Sequence, residues 1–318
     1  MNFNTEHNAK MCGDLHFGVE LRYTLCYNIG KKGGAIMARL RLMTHNQWKN
    51  DENIPAWEEM GMDCSSTVRS RGFVRVFKET APDIIGCQET SFRMADELVR
   101  FCAEEGMRYA VLWGRDTPIF YRPDKFELLD SDFSLYPDEF PLHEGVYNNS
   151  MTKSWNIGVF RVKENGRVFI FATTHLWWKS SNPESKHYQP MSNEAREYQL
   201  AMLIDRVELF REKYTCPCII VGDLNANYSS LAVRRAFSCG YVHAHDIAAE
   251  YADETNGHHS CGKSGFATSY GDRTFIHAID HILLKDAPEG SVKRFERYSP
   301  EYYLPLSDHS PAYIDFEI

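Results

Sequence analysis

The chain has 318 residues, of which 43% are hydrophobic and 25% are charged, and its formal net charge at pH 7 is -9. These proportions are those of a soluble globular protein, and the length suffices for one large α/β domain or two small ones. The acidic balance argues against a protein that grips duplex DNA through a broad basic face. No apolar run reaches the roughly 18 residues that a membrane-spanning helix needs, so we predict no membrane association.

The nine cysteines form an odd set without regular spacing. They indicate a reducing, cytoplasmic setting rather than a disulfide framework. Cys216 and Cys218 flank one proline, and Cys239 precedes His258, His259 and Cys261 in the chain. Neither group has the paired spacings of a structural zinc site, so we interpret them as ordinary thiols.

The first 36 residues differ from the rest of the chain. They lack the basic segment followed by an apolar segment that marks a secretory signal. Strong alternation begins only at ARLRLMTHN, directly after a second methionine, Met37. We therefore expect residues 1–36 to be a leader that is disordered or not native, and residues 37–318 to form one domain. A genuine docking arm is the alternative for the leader.

From residue 37 onward, short apolar runs alternate with helical patterns. The predicted strands are, in chain order, RLRLMTH, PDIIGCQE, RYAVLWG, PIFYRP, RVFIFATTH, CPCIIVGD, AIDHILLK and AYIDFEI. Residues 91–106 are predicted to form a helix with Met94, Leu98 and Phe101 on one face, and residues 192–214 a longer one. Many strands and few helices predict sheets that pack on each other and are covered by helices.

Two pairs of segments resemble each other within the chain. LMTHNQW (42–48) is similar to ATTHLWW (172–178), and DIIGCQE (83–89) is similar to IIVGDLN (219–225). In each half a strand ends in Thr-His, and a later strand ends in Gly, with an acidic residue beyond it. Two such halves facing each other would bring all four strand ends to one rim of the domain.

Polar side chains collect at this predicted rim. Carboxylates gathered at one place repel each other and lose hydration unless a cation lies among them. Hard oxygen ligands suit Mg²⁺ or Mn²⁺ rather than Zn²⁺, and such an ion keeps positions open for water and a phosphate oxygen. The residues at or just beyond the predicted strand ends are Asn46, Glu89, His175, Asp223, Asn225, Asp280, Asp308 and His309. Together they indicate a site that cleaves phosphoesters.

The order of these motifs carries a family resemblance. H-N-x-W, C-Q-E, T-H-L, G-D-L-N, I-D-H-I-L and S-D-H-S-P follow one another along the chain. In this order they resemble the endonuclease/exonuclease/phosphatase superfamily, from about Met37 to the C-terminus. The resemblance implies an α/β (α+β) four-layer sandwich, in which two packed mixed β-sheets are flanked by helices. It also implies that residues 37–318 are a catalytic domain that hydrolyses phosphoric esters with Mg²⁺ or Mn²⁺.

The resemblance implies which residues bind the metal ion. Glu89, in the C-Q-E motif, matches the main metal ligand of the family. Asn46 and Asp308 would complete the hard-oxygen shell, either directly or through water. The cofactor that we expect is therefore Mg²⁺ (or Mn²⁺), held by these three side chains.

The resemblance also implies the catalytic roles. Asp223 would orient or deprotonate the attacking water, and Asn225 would donate its amide to a phosphate oxygen. His309 would bind the phosphate and stabilise the charge that develops on it, while Asp280 accepts a hydrogen bond from its imidazole. His175, in the T-H-L motif, would be a second phosphate contact.

Two further residues are predicted to bind the substrate. Trp177 follows the T-H-L motif and, with its neighbour Trp178, would give the rim aromatic rings that can stack on a base or a sugar face. Arg122, in IFYRPDKFELLD, lies in a segment like one that is common in the deadenylase-like branch of the superfamily. The loops 138–155 and 252–272 are long, polar and contain glycine, as substrate-selecting loops often do.

The expected reaction is hydrolysis of a phosphodiester by in-line attack of water. RNA, another single-stranded nucleic acid and a small phosphodiester all fit as the substrate. The alternatives are a phosphomonoesterase acting on a sugar, nucleotide or lipid phosphate, and a non-catalytic binding module on the same scaffold. A carbohydrate-processing site with two carboxylates would leave the asparagines and the S-D-H motif unexplained.

Overall fold

The computed structural model describes residues 37–318 except 54, 60, 142, 252–259, 262–266, 270–277, 299 and 304. The predicted leader lies outside the described residues, so its nature and the boundary at residue 37 stay predictions. Most of the predicted loop 252–272 lies outside them as well. Within the described ranges, no helix combines the length and the apolar character that crossing a bilayer requires.

The regular elements alternate along the chain. The strands are β1 (Arg39–Asn46), β2 (Ile84–Gln88), β3 (Ala110–Leu112), β4 (Ile119–Tyr121), β5 (Phe126–Leu135), β6 (Ser154–Val162), β7 (Val168–His175), β8 (Cys218–Asp223), β9 (Val242–His243), β10 (Glu250–Tyr251), β11 (Ser260–Cys261), β12 (Ala267–Ser269), β13 (Asp280–Lys285), β14 (Val292–Arg297) and β15 (Ala312–Glu317). The helices are α1 (Pro55–Glu58), α2 (Ser66–Thr80), α3 (Phe92–Glu104), α4 (Ser192–Tyr214), α5 (Leu231–Ser238) and α6 (Ala244–Ile247), and a 3₁₀ turn covers Glu301–Tyr303.

Every strand and helix predicted from the sequence is present, but several elements of the layers are not predicted. The predicted helices correspond to α3 and α4, and the Ser91 side chain caps α3 by accepting a hydrogen bond from the Met94 amide. The elements β5, β6, β14, α2 and α5 are not predicted. β6 is buried on both faces, so its sequence lacks the alternation of polar and apolar residues that marks a half-buried strand. Helix α2 contains a buried arginine, Arg69, and a glycine, Gly72, and both interrupt the pattern of an amphipathic helix.

Two large mixed sheets form the centre of the fold. The first has the strand order β10-β14-β15-β1-β2-β4-β3, and the second has the order β5-β6-β7-β8-β13-β9. Apolar residues such as Leu42, Phe171 and Val221 lie between the sheets. Helices α2 and α3 cover the outer face of the first sheet, and α4 and α5 cover that of the second. The predicted four-layer α/β sandwich is confirmed.

The two similar halves of the sequence adopt the same local arrangement. Strands β1 and β2 are parallel neighbours in the first sheet, and β7 and β8 are parallel neighbours in the second. The registers correspond as well, because Thr44 pairs with Gly86 and Thr174 pairs with Gly222. The internal similarity therefore marks two parallel strand pairs, one at the centre of each sheet.

Gly222 allows β8 to approach β7 just before the strand ends. Its φ is +149°, and a Cβ built on it would lie 2.0 Å from the backbone oxygen of Thr174. No side chain fits at that distance, so the position requires glycine. The glycine thereby fixes the position of Asp223, the next residue.

We expect Gly222→Ala to lower the free energy of unfolding by about 3 kcal/mol or more, because the new methyl group meets backbone that cannot move aside. The matched control is Gly166→Ala in the turn between β6 and β7, where φ is +75° and nothing lies within 4 Å of the added Cβ. That control should cost only about 1–2 kcal/mol of backbone strain. Urea unfolding of both variants measures the difference, and equal losses would contradict the steric argument.

Candidate active site

The ends of the four central parallel strands meet at one rim. The two sheets are joined there by a hydrogen bond that Gln88 Nε2 donates to Thr173 Oγ1 at 2.8 Å. The residues that end or directly follow these strands are Asn46, Glu89, His175 and Asp223. Four positions that are far apart in the sequence are thus brought together by the packing of the sheets.

The backbone turns sharply at equivalent positions in the two halves. Glu89 and Asn225 each lie three residues beyond the corresponding glycine, and their φ angles are +51° and +48°. Asparagine adopts this left-handed conformation more readily than most residues, whereas a glutamate does so rarely. Such strain is often stored at functional sites, and both side chains line the same cleft.

A solvent-open cleft of ≈ 390 Å³ lies at this rim. The predicted residues that line it are Glu89, His175, Asn225, Asp223, Asp308 and His309. Asn46 and Asp280 lie directly behind the lining and hydrogen-bond to it. The structure therefore brings together all eight residues predicted at the strand ends, although their catalytic and metal-binding roles stay predictions.

Asn46 holds two carboxylates together. Its Nδ2 donates to Asp223 Oδ2 at 2.9 Å and to Glu89 Oε1 at 3.4 Å. Its Oδ1 accepts a hydrogen bond from the Trp48 amide at 2.9 Å. In this orientation the amide nitrogen, rather than the oxygen expected of a metal ligand, faces the carboxylates. Asn46 thus positions the acidic groups of the cleft.

Burial and neighbouring carboxylates disfavour the charged forms of two acidic groups in the cleft. Burial raises the pKa of Asp223 to about 7, and the nearby charge of Asp280 adds to this effect. Burial also raises the pKa of Asp308 to about 6, with a further contribution from Glu89. A cation among these carboxylates would relieve both shifts. The ligand atoms of Glu89, His175 and Asp223 lie within 4.8 Å of one another, so a divalent cation bound to Glu89 would lie close to Asp223 and His175.

His309 is paired with Asp280 as predicted. Its Nδ1 donates to Asp280 Oδ2 at 2.8 Å, and its Nε2 lies 3.8 Å from Asp223 Oδ2. Burial alone would lower the pKa of His309, but the carboxylates of Asp280, Asp223 and Asp308 raise it well above its usual value. These carboxylates therefore favour the protonated form of the His309 ring, which lines the cleft.

Lys153 is a cleft residue that no motif marks, although it lies in the predicted substrate-selecting loop 138–155. It is buried, and its Nζ lies 2.6 Å from His175 Nε2. Burial lowers the pKa of Lys153 to about 8, and burial together with Lys153 lowers the pKa of His175 well below its usual value. Lys153 therefore donates to a neutral His175. Lys153 directly precedes β6, where Ser154 pairs with His175, so predicting β6 would have indicated its location.

Two other residues that line the cleft, Lys49 and Asp116, are also missed. Lys49 Nζ forms an ion pair with Asp116 Oδ1 at 2.7 Å, and both side chains line the cleft. Trp178 lines it as well. Lys49 lies just beyond the H-N-x-W motif, which does not include it, and Asp116 lies in a loop without a recognisable motif.

The prediction that Trp177 contacts the substrate is wrong. The side chain is 0% exposed and packs with Phe140, Tyr147 and Ala195. A ring enclosed in this way cannot stack on a substrate. The tryptophan that reaches the cleft is its neighbour, Trp178, because successive side chains of an extended segment point to opposite sides.

Arg122 does not contribute to the cleft either. It directly follows β4, which runs antiparallel to β2, and its amide donates to Asp83 at the start of β2. Glu89 lies at the other end of β2. The Arg122 guanidinium instead pairs with Asp124 at 2.6 Å. The predicted substrate contact is thus wrong, because Arg122 lies at the ends of the strands that are opposite the rim.

Comparisons with known proteins agree with this geometry. The sequence profile of the endonuclease/exonuclease/phosphatase family matches residues 43–309. The chain is similar to the 3′-5′-exoribonuclease subunit Ccr4 of the CCR4-Not complex from Mycosarcoma maydis, with 24% identity over 216 residues. This match spans 61% of the chain but 28% of that relative's length.

Two solved structures show the same fold. An endonuclease/exonuclease/phosphatase family protein from Bacteroides thetaiotaomicron is similar with a TM-score of 0.67 and 18% identity, over 89% of this chain and 96% of that one. The mannosyl-6-phosphatase of Bacteroides thetaiotaomicron VPI-5482 is similar with a TM-score of 0.65 and 19% identity, over 88% of this chain and 99% of that one. With its sequence profile covering most of the chain, this protein belongs to the endonuclease/exonuclease/phosphatase family.

Proposed function

We propose that the protein hydrolyses a phosphodiester by in-line attack of water, with the help of a bound divalent cation. The observation that carries this proposal is the convergence of Glu89, Asp223 and Asp308 on one open cleft that also contains the His309–Asp280 pair. Membership of the family makes the chain a phosphoesterase. The type of ester and the metal ion are our inference, and a cytoplasmic location stays a prediction from the sequence.

The metal ion would be held by Glu89 and Asp308. Both offer carboxylate oxygens, the ligands that Mg²⁺ and Mn²⁺ prefer. Asn46 orients Glu89 from behind, so it supports the site through a hydrogen bond. When bound, such a cation counters negative charge on the phosphoryl and leaving oxygens.

The side chains of the cleft supply the remaining chemistry. Asp223 accepts a hydrogen bond from the attacking water and takes its proton, and Asn46 keeps the Asp223 carboxylate in place. The imidazolium of His309 donates its Nε2–H to a phosphoryl oxygen as charge builds up there, and Asp280 fixes the ring from the other side. His175 and Lys153 provide a second contact for the phosphate group.

The open cleft favours a diester. Trp178 lines one part of it and the Lys49–Asp116 ion pair lines another, so groups attached to both sides of a phosphate find surfaces to contact. RNA or another single-stranded nucleic acid suits such a cleft, in keeping with the similarity to the exoribonuclease subunit Ccr4. The three cationic groups Lys49, Lys153 and His309 favour a phosphomonoesterase as the second candidate, because a monoester is a dianion.

We expect Asp223→Asn to lower kcat/KM by about 10²–10⁴-fold, because the amide cannot take the proton of water. The variant should not unfold at a lower temperature than the wild type in chelator. Burial raises the pKa of Asp223 from the 3.8 of an exposed group to about 7, so ionising it in the folded state costs stability as the pH rises above about 4. Asparagine removes that cost.

The measurement is hydrolysis of bis-para-nitrophenyl phosphate and para-nitrophenyl phosphate with Mg²⁺, Mn²⁺ or chelator. Asp124→Asn, in the exposed ion pair with Arg122, is the matched control and should retain full activity. A preference for the monoester would move the protein to the phosphatase candidate. Full activity of Asp223→Asn would refute the assigned role.

We expect Glu89→Gln to weaken Mg²⁺ or Mn²⁺ binding by about 10-fold or more, because a neutral amide replaces the main anionic ligand. Titration calorimetry of the free protein measures this without any substrate. Glu104→Gln changes the same chemical group on the exposed surface of α3 and should leave metal binding unchanged. If neither ion binds the wild type, the metal-dependent mechanism is wrong.

A further inference from the structure

Two neighbouring tryptophans beyond β7 have opposite environments. Trp177 is fully buried, whereas 43% of Trp178 is exposed and its side chain lines the cleft beside His175 and Asn225. Among the described residues that line the cleft, Trp178 has the largest ring. A large ring in contact with solvent beside the proposed reaction site is available to contact a ligand.

The backbone on both sides of Trp178 is held from the interior. Arg196, on α4, is 5% exposed, and its Nη1 donates to the carbonyl oxygen of Trp177 at 3.0 Å and to that of Lys179 at 2.7 Å. The Trp177 amide donates to Gln199 Oε1 at 2.8 Å. One buried guanidinium thus binds the carbonyls that flank Trp178. The backbone that carries the ring is thus fixed at the cleft before any ligand binds, which reduces the entropy lost on binding.

The surroundings of the ring favour a nucleic-acid ligand. His187 packs against the ring edge-on, with centroids 5.0 Å apart, and Lys179 Nζ lies 6.0 Å from the ring centroid. The hydroxyls of Ser150 and Thr152 line the same cleft. An aromatic face with a lysine beside it is the arrangement that binds single strands, because a base stacks on the ring while the cation contacts the backbone.

We propose that Trp178 determines substrate specificity by stacking on the nucleobase attached next to the scissile phosphate. The substrate is then a nucleotide-containing ester, and a sugar phosphate or lipid phosphate without a base is a poorer one. This inference rests on the proposed function, because it places the reacting phosphate among Glu89, Asp223 and His309. It adds a residue that contacts the substrate away from the bond that breaks.

The kinetic test uses two five-nucleotide oligoribonucleotides that differ only by an abasic site at the end that is cleaved. Trp178→Ala should lower kcat/KM on the intact strand by about 5- to 150-fold, mainly through a higher KM, and change the abasic strand little. Trp178→Phe should retain most of the activity on both. Equal losses on the two strands, or no loss on either, would overturn the proposal.

Trp113→Ala is the matched control. Trp113 is exposed to almost the same extent, 44%, but it stacks on Phe92 and is not among the described residues that line the cleft. This variant should behave as the wild type on both strands. If hydrolysis of mannose 6-phosphate depends more strongly on Trp178 than hydrolysis of the intact strand, the ring binds a sugar and the nucleobase assignment is wrong.

A binding experiment separates this inference from the proposed function. In the Asp223→Asn background, calorimetry compares adenosine 5′-monophosphate with ribose 5-phosphate in the presence of Mg²⁺. We expect tighter binding of the nucleotide, and Trp178→Ala should remove that advantage. A protein that cleaves no ester but shows this difference would retain the stacking site and lose the catalytic proposal. Cleavage of an ester without this difference in binding would support the catalytic proposal and refute the stacking site.

Discussion

The close approach of the two sheets at Gly86 is the constraint on which the rest of the site depends. A Cβ at this position would lie 2.5 Å from Val221 Cγ2 and 2.8 Å from Thr173 Cβ, so the two central strand pairs touch where a side chain would otherwise stand. The spacing of the sheets sets the distance between groups that belong to different halves of the chain. The 2.9 Å hydrogen bond from Asn46 to Asp223 crosses that gap.

The strand ends bring several buried carboxylates together, and burying their charges costs free energy that other groups of the site must offset. Asp223 and Asp308 have raised pKa values because burial and neighbouring carboxylates disfavour their ionised forms. The same carboxylates raise the pKa of His309 and so favour its protonated form, and the Lys153 ammonium lies 2.6 Å from His175 in the same cleft. The protein's own cations therefore offset part of the negative charge. The remainder is what makes a divalent cation and a phosphate group complementary to the cleft.

Buried arginines hold the loops that the sheets do not reach. Arg69, on α2, donates to the carbonyl oxygens of Gln47, Trp48 and Leu306, at 2.9, 2.9 and 3.0 Å. These bonds join the segment beyond β1 to the segment that carries Asp308. Arg196 does the same for the segment beyond β7. Burial lowers the pKa of Arg69 to about 10, so the guanidinium stays charged at neutral pH while its hydrogens are shared among backbone carbonyls.

The sequence by itself determined the strand ends, the internal repeat and the order of the motifs, and these were enough to identify the family and the residues of the rim. Period-two alternation and glycine turns are local properties, so they can be read from adjacent residues. The tertiary structure decided the rest. Only the packing of α4 and the 140–147 segment shows that Trp177 is core and Trp178 is not. The antiparallel direction of β4 relative to β2 places Arg122 away from the rim. The pairing of β6 with β7 places Lys153 next to His175. These outcomes depend on contacts between residues distant in the chain, which no local pattern records.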